Sequence, residues 1–117
     1  MIKEAILCLA LAMYHEARGE DLRTQMLVAA VVLERATKKE HNTVCKALYY
    51  PKAFSGMHRG YKPHSQKVYK GMLKLSAKIL SGKVKLEKGL MYFNREHLGK
   101  RHKTNHHIIR SGKMIFY

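Results

Sequence analysis

Glu16, Glu20 and Asp21 lie in the stretch MYHEARGEDL, so three of the chain's eight acids crowd into six residues. The stretch follows an unbroken apolar run from Ala5 to Tyr14. A carboxyl group at the mouth of an apolar helix loses solvation on its core side, which favours its protonated form. That is the state a general acid must hold near neutral pH, and a glycosidic oxygen is one group such an acid can protonate. Glu16 has the position for this, although a pair with Arg18 is the other use open to it. Glu20 and Asp21 suit a simpler duty, as anions at the N-terminus of the next helix. Glu20 is also a possible second carboxylate, since a hydrolytic route needs two, about 5–5.5 Å apart for retention or about 6.5–9.5 Å for inversion.

A second group of reactive side chains lies far along the chain. His102, His106 and His107, with Asn105, could be imagined as a metal or nuclease site. The spacing matches neither a helical H-x-x-x-H motif with its general base nor a Cys-His finger. A charged, solvated loop is the expectation there, with no metal and no cofactor.

The elements that must position these groups are mostly helical. Residues 2–17 read as a helix whose apolar residues surround it, so it is expected to be buried rather than laid on a surface. Gly19 is a natural stop. Asp21 can cap a second helix through about Thr37, in which Met26–Leu33 is again apolar all round. Thr43 can cap a short helix ended near Tyr49 by Pro51. Residues 51–63 carry two Pro and two Gly and read as a long loop of the kind that often binds. Residues 64–81 form an amphipathic helix with Val68, Met72, Leu75 and Ile79 on one face and Lys67, Lys70, Lys74 and Lys78 on another. Beyond Gly82 the pattern changes: GLMYFN (Gly89–Asn94) suits a strand, Glu96–Asn105 a polar loop, and HHIIR with KMIFY a closing β-hairpin. Helices first and a small antiparallel sheet last define an α+β class, here expected as one domain over residues 1–117 without a separate second module.

Bulk properties narrow the partners. The net charge is +15, and it is uneven: residues 35–117 hold twenty Lys/Arg against three acids. Such a surface should collect on a polyanion, whether nucleic acid, anionic membrane or acidic envelope polymer. The opening MIKEAILCLALAMY imitates a secretory signal, but Glu4 offsets Lys3 and cleavage after Ala12 would remove the helix that delivers Glu16. It is read as a domain helix, and no apolar run reaches the roughly 20 residues needed to span a bilayer. Cys8 and Cys45 both fall in apolar helical patterns, so two buried free thiols and synthesis in a reducing compartment are expected.

The stretch CLALAMYHEARGEDLRTQMLVAAVVLERA (Cys8–Ala36) resembles the opening of the SleB-type cell wall hydrolase family, the spore cortex-lytic enzymes and their relatives. The resemblance continues in order through TVCKALYYPKAFS (Thr43–Ser55), GLMYFN and the closing IFY, so it covers nearly the whole chain. It implies a helix-rich, lysozyme- or transglycosylase-like domain that cuts peptidoglycan between N-acetylmuramic acid and N-acetylglucosamine. The family's catalytic glutamate falls on Glu16, and its members look like lytic transglycosylases that leave a 1,6-anhydro sugar. A muramidase hydrolysing the same bond is the alternative within the class. The glycan would lie over Phe54, Ser55 and Tyr92, although each could equally serve the core. Two positions depart from the family pattern: Gly56 stands where a large aromatic is expected, and Met114 where a histidine is frequent. A monomer acting at the cell wall is implied, made in the cytoplasm and suited to phage-type release through a partner pore or to a bacterial housekeeping role. The competing class, a basic nucleic-acid-binding domain or small nuclease, explains the charge and the histidines but gives no reason for HEARGE.

Overall fold

The computed structural model describes residues 2–38, 43–50, 54, 56–95 and 108–117. Four helices come first: α1 (Ile2–Ala17), α2 (Leu22–Arg35), α3 (Val44–Tyr49) and α4 (Gln66–Leu80). Three short strands follow, β1 (Phe93–Arg95), β2 (Ile109–Ser111) and β3 (Met114–Phe116), which gives the expected α+β class.

The two central helices are buried for the reason their composition suggests. Leu9, Ala10, Ala12, Met13, Tyr14 and Ala17 of α1 are all buried, as is the unbroken run Leu27–Val32 of α2. Burial on every side removes any amphipathic stripe, and truncating one of these large side chains, such as Leu9→Ala, costs about 2–5 kcal/mol. Gly19, at φ +84°, ends α1 in a left-handed turn. Asp21 then caps α2 as expected, its Oδ1 accepting from the Thr24 amide at 2.9 Å. Thr43 and Ser65 cap α3 and α4 in the same way.

Helix α4 departs from the expected face at one end. Met72 and Ile79 are buried, but Val68 is exposed, and the fully buried Ser76 shares the inner face. The Ser76 hydroxyl donates to the carbonyl of Ile6 at 2.8 Å, which satisfies a polar group that would otherwise be costly to bury. Lys67, Lys70, Lys74 and Lys78 are exposed, as their spacing requires.

The cysteines overturn an expectation. Cys8 and Cys45 are joined as a disulfide across 37 positions, their Cα atoms 5.2 Å apart, rather than standing as free thiols. Both do lie in apolar helical patterns, but α1 and α3 pack together so that the two patterns face each other. The bridge also removes the reason for favouring a reducing compartment.

The sheet has strand order β1-β3-β2 and is antiparallel throughout. Phe93 pairs with Phe116 and Arg95 with Met114 on one side of β3; Ile109 and Ser111 pair with the same two residues on the other. The expected strand at Gly89–Asn94 begins its ladder later, at Phe93, although the amides of Met91 and Tyr92 already donate to the Tyr117 carbonyl. Met114 and Phe116 enter a second core with Ala17, Leu27, Val28, Val31 and Leu90, so the sheet rests on the junction of α1 and α2. The expected polar loop and its histidines, His102, His106 and His107 with Asn105, lie outside the described residues. No helix is long and apolar enough to cross a membrane among the described residues.

Candidate active site

Glu16 sits in the last turn of α1 with 20% of its side chain exposed. Burial pushes its carboxyl above the usual carboxylate range, while the charges of His15, Arg95 and Arg35 pull the other way without cancelling the rise. His15 is the near neighbour, its Nε2 3.7 Å from Glu16 Oε1. Arg18 is engaged elsewhere: its guanidinium lies 5.2 Å from the centre of the Tyr14 ring and donates to the Tyr14 hydroxyl at 3.1 Å. The carboxyl is therefore half-desolvated and flanked by cations, which keeps it protonated further up the pH scale while favouring the anion left once the proton has gone.

The loop after α3 forms one wall. Tyr61 meets the His15 ring edge-on, with centroids 4.9 Å apart, and His58 stands behind it. Gly56 has φ +80°, and a Cβ there would stand 3.4 Å from His15 Cε1. The glycine thus lets the loop backbone close on the imidazole where the family pattern has a large ring. Tyr14 braces this wall from below, its hydroxyl accepting from the Ser65 amide at 2.8 Å.

The other wall is organised by Arg35, a residue the sequence reading passed over as an ordinary basic group in the last turn of α2. Its Nε donates to the Met91 carbonyl at 2.8 Å. The guanidinium carbon lies 5.1 Å from the centre of the Phe54 ring, 5.7 Å from Tyr92 and 6.0 Å from Phe93. Burial lowers its basicity, with Tyr92, Glu16 and Tyr117 acting in opposition, and a guanidinium stays charged through such a change. An arginine just beyond the apolar run Met26–Leu33, ahead of two aromatic segments, was the available signal for this role.

The expected contact residues fare differently. Phe54 is buried against Phe93, with ring centroids 5.9 Å apart, so it shapes the wall from within the core. Ser55 lies outside the described residues. Tyr92 is 53% exposed, and its ring stacks on Tyr117. Glu20 reaches the hairpin between β2 and β3, where its Oε1 accepts from the Lys113 amide at 3.2 Å. Among the described residues no group of three or more His, Cys, Asp or Glu could hold a metal ion.

No curated protein and no solved structure matches the chain. A family model described as Cell Wall Hydrolase matches residues 19–117. That span runs from the turn after α1 through β3 and includes Arg35, Phe54, Tyr92 and Tyr117; it begins just beyond Glu16. Covering most of the molecule, the match places the chain in the Cell Wall Hydrolase family, enzymes that act on the cell wall.

Proposed function

We propose that this cell wall hydrolase degrades peptidoglycan as a lytic transglycosylase, cutting the β-1,4 bond between N-acetylmuramic acid and N-acetylglucosamine, with residues 1–117 acting as one catalytic domain. The observation that carries the reading is the Glu16 carboxyl at the end of α1, its pKa raised by burial, with His15 3.7 Å away and Arg35 and Arg95 acting on it electrostatically. In the first step Glu16 gives its proton to the glycosidic oxygen, the C1–O bond breaks, and the departing sugar leaves with a hydroxyl. The Glu16 carboxylate, favoured by the neighbouring cations, then takes the proton from the C6 hydroxyl of the remaining sugar as O6 closes on C1. The acid is regenerated, a 1,6-anhydro end forms and no water is consumed. One carboxyl suffices for both steps.

The engagement of Glu20 with the Lys113 amide favours this single-acid route over hydrolysis, which needs a second carboxylate near the first. Ser55 and Tyr92 are the proposed glycan contacts, with the buried Phe54 supporting that wall from behind. The Cys8–Cys45 bridge suits a protein that works outside the reducing cytoplasm. The exposed lysines of α4 and the +15 net charge hold the enzyme on anionic envelope polymers, so lysis should fall steeply with added salt; salt-indifferent lysis would remove that part of the reading. The decisive experiment is mass analysis of fragments released from purified peptidoglycan. Anhydro ends are expected, reducing ends would make the enzyme a muramidase, and an unimpaired Glu16→Gln variant would reject Glu16 as the acid.

A further inference from the structure

The sheet carries an aromatic pair on the side turned away from its core. Phe93 and Phe116 pair in register, with Phe116 fully buried. The next residues outward, Tyr92 and Tyr117, exchange two backbone hydrogen bonds, each 2.9 Å, and so extend that ladder by one pair. Alternation along a strand puts this pair on the opposite face, and Asn94, two residues on from Tyr92, shares it. The rings are stacked, with centroids 5.6 Å apart and planes 28° from parallel. The Asn94 amide donates to the Tyr117 hydroxyl at 2.8 Å, and the Arg35 guanidinium lies at the Tyr92 ring.

We propose that Tyr92 and Tyr117 together form a stacking platform for the apolar face of a pyranose ring, a sugar subsite displaced from the bond that Glu16 cuts. The inference rests on the glycan-cleaving reading above and adds Tyr117, Asn94 and Arg35 to it. A ring needed only for packing would be covered, yet Tyr92 keeps 53% of its surface in solvent. The backbone ladder, Asn94 and Arg35 hold the pair in place before any ligand arrives, so binding loses little side-chain freedom. A sugar offers one face of C–H groups to an aromatic ring and an edge of hydroxyls, and here the rings are bordered by the amide of Asn94 and the guanidinium of Arg35. The same guanidinium acts electrostatically on both Glu16 and Tyr117, so the platform and the proposed acid share Arg35 as a neighbour.

The test is a titration of the Glu16→Gln protein with chitotetraose, a peptide-free tetrasaccharide, followed through the tyrosine ring signals in NMR. The signals of Tyr92 and Tyr117 are expected to move. Tyr92→Ala should weaken binding about five- to tenfold, whereas Tyr92→Phe, which keeps the ring, should bind as the parent does. Equal affinity of Tyr92→Ala and parent, or no binding by the parent at millimolar sugar, would overturn the platform. So would a Tyr92-dependent affinity for single-stranded oligothymidylate in place of the sugar. Peptidoglycan cleavage by Glu16→Gln at the parent's rate would instead reject the catalytic assignment, and the titration would still read the platform.

Discussion

Glu16 and Glu20 are the same residue type, four positions apart, and the structure sends them to opposite kinds of place. Glu16 is the end of a buried rod, short of water and ringed by cations and aromatic side chains. Glu20, past the Gly19 turn, fastens the β2–β3 hairpin to the start of α2. A Cβ on Gly112 would stand 2.9 Å from Glu20 Oε1 and push the carboxylate aside, and the φ of +58° is itself one that favours glycine. The same joint holds a buried hydroxyl pair, Thr24 with Ser111 at 2.8 Å, and a bond from Arg23 to the Arg110 carbonyl. One region places a charge where it is unfavourable and therefore reactive. The other spends every polar group on holding two pieces of backbone together.

Activity should separate the two regions most sharply. Glu16→Gln is expected to lower peptidoglycan cleavage by about 10²–10⁴-fold, the usual contribution of a positioned acid and base, while Glu20→Gln should stay within a few-fold of the parent. Comparable losses in both would mean that Glu20 supplies a second carboxylate and that the reaction is hydrolytic. Next in size is the hold on α1 itself. Reducing the Cys8–Cys45 bridge, which closes 37 positions of chain, should cost about 3–4 kcal/mol and lower Tm by roughly 10–20 °C in melts with and without dithiothreitol. An unchanged Tm would mean that the packing of α1 on α3 is sufficient by itself. Smaller again is the hairpin joint: Glu20→Ala should destabilise by about 1 kcal/mol in urea unfolding, with cleavage by the folded enzyme nearly intact.

The smallest effect has the opposite sign. Because burial raises the Glu16 pKa, the protonated form adds to stability at low pH, and that contribution disappears as pH rises through the raised value and the buried group ionises. Glu16→Gln cannot ionise, so it should melt higher than the parent at pH 8, by about 2 °C, with the gap narrowing toward pH 4. A gap that widened on acidification would place Glu16 among the stabilising carboxylates, with Asp21, whose hydrogen bond to Thr24 holds its pKa down.

What could be read from the sequence divides along a similar line. Helix positions, the Asp21 and Thr43 caps and the closing hairpin depend on neighbours within a few residues, and they emerge where the pattern puts them. The desolvation of Glu16 was legible too, because an apolar run carries straight into it. The disulfide, the destination of Glu20 and the reach of Arg35 depend on contacts 37, 93 and 56 positions away, and no local pattern encodes them. Val68 and Ser76 show the same limit on a small scale. The carbonyl of Ile6, seventy positions away, satisfies the buried Ser76 hydroxyl, and nothing in the structure explains why Val68 is left exposed.

The strand order has a consequence for how the sheet is held together. β1 and β2 each pair with β3 and, among the described residues, share no ladder with each other. Without Met114–Phe116 the described strands form no sheet, and Leu27, Val28 and Val31 of α2 lose Met114 and Phe116 as neighbours. The three residues of β3 thus hold both other strands and cover one side of α2, so loss of Met114–Phe116 should undo the whole sheet rather than one strand of it.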